Sequence, residues 1–344
     1  MKQFGGKVTK ALEQQYAQSA NWQDGSFQNL EKTEMEFSFR DMPKMLYKQF
    51  FDRKARVPEN PLEIAPFDKS TFLGDSTTQL IWYGHSVILM RIAGFTILID
   101  PMLGPDAAPI APFKSKRYSD NTLSLIDQFP EIDLLLMTHD HYDHLDLVSI
   151  KKLKSKVKSY QVGLGVKRHL LHWGIEEQLI TEYDWWQQHS IGPVTITYTP
   201  TRHFSGRGAT DRAKSLWGGW VIQSPTEKIY FSGDGGYGEH FKTIGQKLGP
   251  FDFGIMECGQ YNEHWHQIHM YPEESIQAAI DAQVKKAMPV HWAGFALAMH
   301  TWKDPVERFT QAADDLKMDI VVPTLGEIFD FRALTLKDWW TKLK

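Results

Sequence analysis

From Gln79 onward the chain carries a series of short apolar runs: QLIWYG, SVILMRI, FTILID, DLLLMT, VTITYTP, WGGWVI, KIYFSGD and DFGIMEC. Many of their residues are β-branched or aromatic, and Gly, Pro or Asp bounds most of them, which is the pattern of strands buried in a sheet. Helical patterns fall between and after the runs, in DLVSIKKLK, YGEHFKTIGQKLG, PEESIQAAIDAQ and DPVERFTQAADDLK. The last two carry Pro and acidic residues in their first turns. Strand runs followed by single helices, repeated twice, predict an α/β (α+β) fold. Two mixed sheets would pack face to face with helices outside, an αββα sandwich.

A chain of 344 residues, 42% of them hydrophobic, can bury a core of that size. We place the sandwich domain at residues 76–344. Residues 1–75 stand apart because they are polar and punctuated by Pro43, Pro58, Pro61 and Pro66. They are expected to form an extension packed on the body. Its patch MLYKQFFDRKAR, Met45 to Arg56, suits either packing or contact with a lipid surface. With 38 Lys and Arg against 42 Asp and Glu, the net charge of -4 gives no electrostatic case for a nucleic-acid partner. No segment approaches the ~20 apolar residues that span a bilayer, and the first residues lack the apolar core of a signal peptide. A cytoplasmic location fits, with peripheral membrane contact compatible with it, and so does a leader or anchor upstream of Met1. A homo-oligomer is equally compatible.

The single cysteine, Cys258, excludes an intrachain disulfide framework and a thiolate zinc cluster, so metal chemistry must rest on His and carboxylate. The stretch THDHYDHLD, Thr138 to Asp146, supplies both. It follows a buried strand directly and leads into a helix at about Asp146, a turn that can converge several side chains on one point. Alternation aims His139 and His141 to one side, and Asp143 and His144 come round on the next turn. A lone HxH would be an ordinary polar loop, but a full HxHxDH after a strand points to divalent metal. Six ligands shared between two ions is a common hydrolase arrangement, so further ligands should exist. His203 in TPTRHFSGR, Asp234 in YFSGDGGY and His291 in MPVHWAGF each stand at or just beyond a strand end. Each alone reads as well as a satisfied histidine or a turn aspartate. Their order and common placement raise them together.

With these residues in place the chain resembles the metallo-β-lactamase superfamily. More closely, GHSVILMRIAGFTILIDPML, THDHYDHLD, YDWWQ, TPTRHFSGRGATDRAKSLWGGWVI, FSGDGGY and HWAGFALA resemble the N-acyl-phosphatidylethanolamine-hydrolysing phospholipase D family. The resemblance runs from about Leu80 to Pro305. It implies that His139, His141 and His203 hold one zinc ion, that Asp143, His144 and His291 hold another, and that Asp234 bridges them. Iron or manganese would suit the same ligands. It also implies that Asp143 serves catalysis and that His269, in HMYPEES, faces the substrate phosphate. By sequence alone His269 could merely precede a helix. The run Glu257-Cys258-Gly259-Gln260-Tyr261 departs from the family pattern, as does His291-Trp292-Ala293-Gly294-Phe295, which puts the substrate in doubt and leaves the metal intact.

Two close divalent ions lower the pKa of a shared water and neutralise charge on a phosphoryl oxygen, but they could equally polarise an ester or lactone carbonyl. The resemblance selects a phospholipid or other small phosphodiester, cut to phosphatidic acid and an N-acylethanolamine. A lactonase or other phosphoester hydrolase of the superfamily, and a non-catalytic lipid- or metal-binding protein, are the alternatives. Trp185, Trp186, Trp217 and Trp220 could shape an acyl-chain pocket or simply be core. Arg202, Arg207 and Arg212 could meet phosphate or be solvated or paired.

Overall fold

The computed structural model describes residues 2–35, 47, 55–74, 76–108 and 114–344. Two seven-stranded sheets dominate it. In chain order the first contains β1 (Gln79–Trp82), β2 (Ile88–Ile92), β3 (Phe95–Ile99), β4 (Leu134–Leu136), β5 (Tyr160–Gly163) and β6 (Ile180–Tyr183). The second contains β7 (Gln188–Ile191), β8 (Val194–Thr199), β9 (Gly219–Gln223), β10 (Lys228–Phe231), β11 (Phe253–Glu257), β12 (Lys286–Val290) and β13 (Asp319–Ile320). A last strand, β14 (Ile328–Phe329), returns to pair antiparallel with β1. The spatial orders are β14-β1-β2-β3-β4-β5-β6 and β13-β12-β11-β10-β9-β8-β7. Each sheet is antiparallel on one side and parallel on the other, with the change at β3 in the first and at β10 in the second.

All eight runs named from sequence form strands. Their side chains alternate between two cores. Leu80, Trp82, Ile88, Met90, Ile97 and Ile99 face the opposing sheet, while Ile81, Leu89 and Leu98 face the outer helices. Period-2 alternation therefore produces continuous apolar runs, because both faces are dry. The four helical patterns become α1 (Leu147–Leu153), α2 (His240–Leu248), α3 (Pro272–Asp281) and α4 (Asp304–Leu316). Asp146 caps α1, its carboxylate accepting from the N–H groups of Val148 and Ser149.

The N-terminal residues touch the body at several points. Arg168 Nε donates to Gly6 O, Trp173 Nε1 donates to Lys2 O, and Asn29 exchanges hydrogen bonds with the backbone of His203. Most of the Met45–Arg56 patch lies outside the described residues. Of it, Tyr47 is exposed, whereas Arg56 is buried and donates to Ala298 O, so that cation faces the protein interior. Among the described residues no helix is long and apolar enough to cross a membrane.

Candidate metal centre

Strands β1, β3, β4, β8, β10, β11 and β12 all point the same way within their sheets, so the turns that follow them meet at one edge of the sandwich. His85 follows β1, Asp100 follows β3, the Thr138–Asp146 stretch follows β4, His203 follows β8, Asp234 follows β10 and His291 follows β12. Three of these turn residues, His85, Asp100 and His291, and Gln260 in the turn after β11 depart from ordinary backbone, with positive φ between 43° and 68°. Such strain is held only where the surroundings over-determine it, and here it concentrates at one site.

The seven candidate ligands converge. His139 Nε2 lies 2.9 Å from His141 Nδ1, which lies 3.1 Å from His203 Nε2. Across the cluster, Asp143 Oδ2 lies 3.4 Å from His144 Nε2 and 3.3 Å from His291 Nε2. Asp234 Oδ2 reaches both groups, at 4.0 Å from His139, 3.0 Å from His144 and 3.1 Å from His291.

Outer partners fix the tautomers. His144 Nδ1 donates to Asp100 Oδ2 at 2.8 Å, and His203 Nδ1 donates to Ile268 O at 2.9 Å. His139 Nδ1 lies 3.0 Å from Thr138 Oγ1, whose own proton goes to Asp100. His291 Nδ1 donates to Gly259 O at 3.3 Å. In each case Nε2 is the nitrogen left facing inward, the position from which it could bind a cation. Buried imidazole nitrogens and carboxylate oxygens crowd together at these separations, a donor set whose chemistry fits divalent metal.

Electrostatics divide the cluster. Burial pushes His139 and His203 well below the ordinary imidazole value, neighbouring imidazoles add to the shift, and burial takes His141 down to about 4. For Asp143 and Asp234 burial acts upward, but the surrounding imidazoles outweigh it and hold both carboxyls well below the usual range. For His291 burial acts downward, but Asp234, Asp143 and Glu257 together outweigh it, and the value rises to about 10. His144 moves up as well: burial opposes the shift, and Asp234, Asp143 and Asp100 outweigh it.

A cavity of about 270 Å³ opens over the cluster. His141, Asp143, Asp234, His291 and His269 form its polar floor, and Met35, Phe204, Trp265, Ile268 and Leu297 its apolar wall. His269 Nδ1 donates to Glu257 Oε1 at 2.6 Å, which leaves Nε2 as the available nitrogen. The tryptophans behave differently from the cavity wall. Trp185, Trp217 and Trp220 are buried in the core between the sheets, and Trp186 packs against it. None of the four lines this cavity.

Sequence reasoning missed three residues here. Asp100 closes FTILID and holds Thr138 and His144. His85 Nε2 sits 2.9 Å from Asp143 Oδ2. Glu257 is buried beneath both His269 and His291, 3.5 Å from His291 Nδ1. The signals were a buried-strand aspartate, a Gly-His pair and a glutamate ending an apolar run.

The family model described as "Beta-lactamase superfamily domain" matches residues 96–292, more than half of the chain. The chain belongs to the metallo-β-lactamase superfamily. An uncharacterised protein of Mycobacterium tuberculosis is 34% identical over 94% of this chain and 88% of its own length. The N-acyl-phosphatidylethanolamine-hydrolyzing phospholipase D 1 of Caenorhabditis elegans is 28% identical over 80% of this chain and 82% of its own. In fold the chain is similar to the metallo hydrolase Igni18 of Ignicoccus hospitalis. The TM-score is 0.57 at 20% identity, covering 74% of this chain and all of that one. The protein is a metal-dependent hydrolase of the metallo-β-lactamase superfamily, with a His/Asp cluster capable of binding metal.

Proposed function

We propose that the chain is a dinuclear zinc phosphodiesterase of phospholipase D type. It would cut N-acyl-phosphatidylethanolamine or a related phospholipid to phosphatidic acid and an N-acylethanolamine. The observation that carries this reading is the cavity itself: an apolar wall above a floor that exposes four of the seven convergent candidate ligands, His141, Asp143, Asp234 and His291, with the His269–Glu257 pair beside them. The Caenorhabditis relative, named for that activity and alike over most of both chains, supports the choice of substrate.

His139, His141 and His203 would hold one ion; Asp143, His144 and His291 the other; and Asp234 would lie between them. Divalent ions bound there supply Lewis acidity, acidifying a water and neutralising charge on a phosphoryl oxygen. The chain's own residues do the rest. Met35, Phe204, Trp265, Ile268 and Leu297 take apolar parts of the lipid and exclude water from the cavity. Glu257 fixes the His269 ring with Nδ1 protonated and receives the Met270 N–H on its other oxygen at 3.2 Å. His269 Nε2 is then placed to give a proton to the departing alcohol oxygen, which the alkoxide of an ethanolamide needs and an aryl oxide does not. Gln260 holds the cavity rim, its carbonyl oxygen accepting from Leu297 and Ala298 N–H, both at 2.9 Å.

Metal-loaded protein should release N-acylethanolamine from N-acyl-phosphatidylethanolamine and hydrolyse a bis-aryl phosphodiester, both abolished by a chelator. Turnover of an acyl-homoserine lactone in place of either diester would overturn the reading.

A further inference from the structure

Three arginines surround His203, and two of them are committed to the fold. Arg202 donates to Lys32 O, Tyr237 O, Thr33 Oγ1 and Gln267 Oε1. Arg207 donates to the carbonyls of Gln3, Asp140 and Leu145. Arg212 is different. It is exposed, and its guanidinium carbon lies 3.9 Å from the centre of the Phe204 ring. Among the described residues no acceptor or counter-ion meets it. Asp211, next in sequence, faces elsewhere: Oδ1 accepts from the N–H groups of Arg207 and Gly208, and Oδ2 lies 3.8 Å from Arg168.

Phe204 links this cation to the candidate metal centre. Its ring meets that of His141 edge-on, with centroids 4.6 Å apart, so a single aromatic ring separates the guanidinium from a candidate ligand. Arg212 also lines a second cavity of about 270 Å³ with Ser26, Asn29 and Thr33. The two cavities share Met35, Phe204 and Ile268 as a common wall.

A guanidinium lying on an aromatic face is held in place by the ring and keeps its N–H edges free to form a paired contact with a carboxylate or phosphate. With no partner among the described residues, such a contact displaces only water from the guanidinium. We propose that Arg212 recognises a second anionic group on the substrate, a carboxylate or a phosphate, carried by the part of the molecule that extends past Phe204 from the bond being cut. This rests on the phosphodiesterase reading and narrows it. N-acyl-phosphatidylethanolamine carries no such group, whereas a lipid whose head-group alcohol bears a carboxylate does. The bond cut is the same phosphorus–oxygen bond. Water supplies hydroxyl to phosphorus and a proton to the leaving alcohol, giving phosphatidic acid and an N-acylated amino acid.

The test compares kcat/KM for N-acyl-phosphatidylserine and N-acyl-phosphatidylethanolamine in mixed micelles, using metal-loaded wild type, Arg212→Lys and Arg212→Met. Wild type should favour the serine lipid by about 10-fold or more, Arg212→Met should bring the ratio near one, and Arg212→Lys should fall between. A ratio that Arg212→Met leaves unchanged, or a wild-type preference for the ethanolamine lipid, overturns the proposal. Failure of the phosphodiesterase reading itself would show as no turnover of either lipid. Fluorescence titration then decides separately, with N-acylserine, N-acylethanolamine phosphate and N-acylethanolamine as ligands. Tighter binding of either anion by wild type, lost in Arg212→Met, supports the assignment and tells carboxylate from phosphate; equal binding of all three by both proteins overturns it.

Discussion

The two halves of the candidate metal centre are built on opposite electrostatic plans. His139, His141 and His203 form a half without its own carboxylate, in which burial and mutual repulsion keep every ring neutral. Asp143, His144, Asp234 and His291 form a half in which buried carboxylates lie against imidazoles and pull protons onto them. The outer partners differ in the same way. The first half is held by Thr138 and the Ile268 carbonyl, both uncharged, and the second by Asp100, Glu257 and His85. A cation entering the first half finds lone pairs ready, whereas one entering the second must displace protons.

Asp234 joins the halves, so changing it should do the most damage. We expect Asp234→Asn to lower turnover ~10³-fold or more and to reduce metal content at both positions, since an amide is a poorer ligand and no longer balances the imidazoles. Elemental analysis beside a turnover assay checks this. Full metal occupancy with turnover within about 10-fold of wild type would mean that the halves are independent of Asp234.

His269 lies beside both halves without closing either, and His269→Ala should separate chemistry from metal binding. The expected outcome is both ions retained and lipid turnover down ~10²-fold, with a smaller loss on an activated aryl diester whose leaving group needs no proton. Loss of metal from this variant would move His269 into the ligand set. Its nitrogen already lies within 4.8 Å of donor atoms of His203 and Asp234.

The proton difference gives the third prediction. With His291 raised to about 10 in the metal-free protein, the ring is protonated throughout the neutral range and its proton must leave when a cation binds. Affinity at the carboxylate half should therefore fall as pH falls, by about 10-fold per unit for each proton displaced, while the three-imidazole half should change less between pH 8 and 6. Calorimetric metal titrations at several pH values, in buffers of differing ionisation enthalpy, measure both slopes. Equal slopes would erase the distinction.

The smallest effect is expected at Cys258, which is buried in the core next to Glu257. Cys258→Ala should keep turnover within about 2-fold and metal content unchanged, because the centre uses no thiol. A larger loss would mean that packing beneath Glu257 controls the His269 side of the cavity.

The strands were legible because both faces of each sheet are buried, which turns period-2 alternation into apolar runs that stand out against loops. Weaker strands escaped for the converse reason. Gln188–Ile191 is exposed at a sheet edge and carries Gln, His and Ser where a core strand would be apolar. The HxHxDH turn was legible from its density of ligand-type side chains after a strand, and the three later His and Asp residues from their order and common placement at strand ends, although each alone reads as an ordinary residue. Asp100 was not, since a single aspartate ending FTILID looks like a turn residue until Thr138 and His144 are seen bound to it.

By itself, then, the sequence determined the order of strands and helices and which strand ends carry ligand-type side chains, because both are local properties of burial and side-chain chemistry. Tertiary structure alone decided which residues meet. Glu257, read from sequence as a departure from the family pattern, proves to sit beneath His269 and His291, and Gly259 is required because a Cβ there would come within 2.0 Å of His291 O. Arg202, Arg207 and Arg212 are alike in sequence, yet residues 2–35 together with Asp140, Leu145, Tyr237 and Gln267 engage Arg202 and Arg207, while among the described residues the Arg212 guanidinium meets only the Phe204 ring. Contacts of this kind join positions tens to hundreds of residues apart, and no periodicity or spacing within one segment encodes them. They follow from how two sheets and an extension close on a single edge.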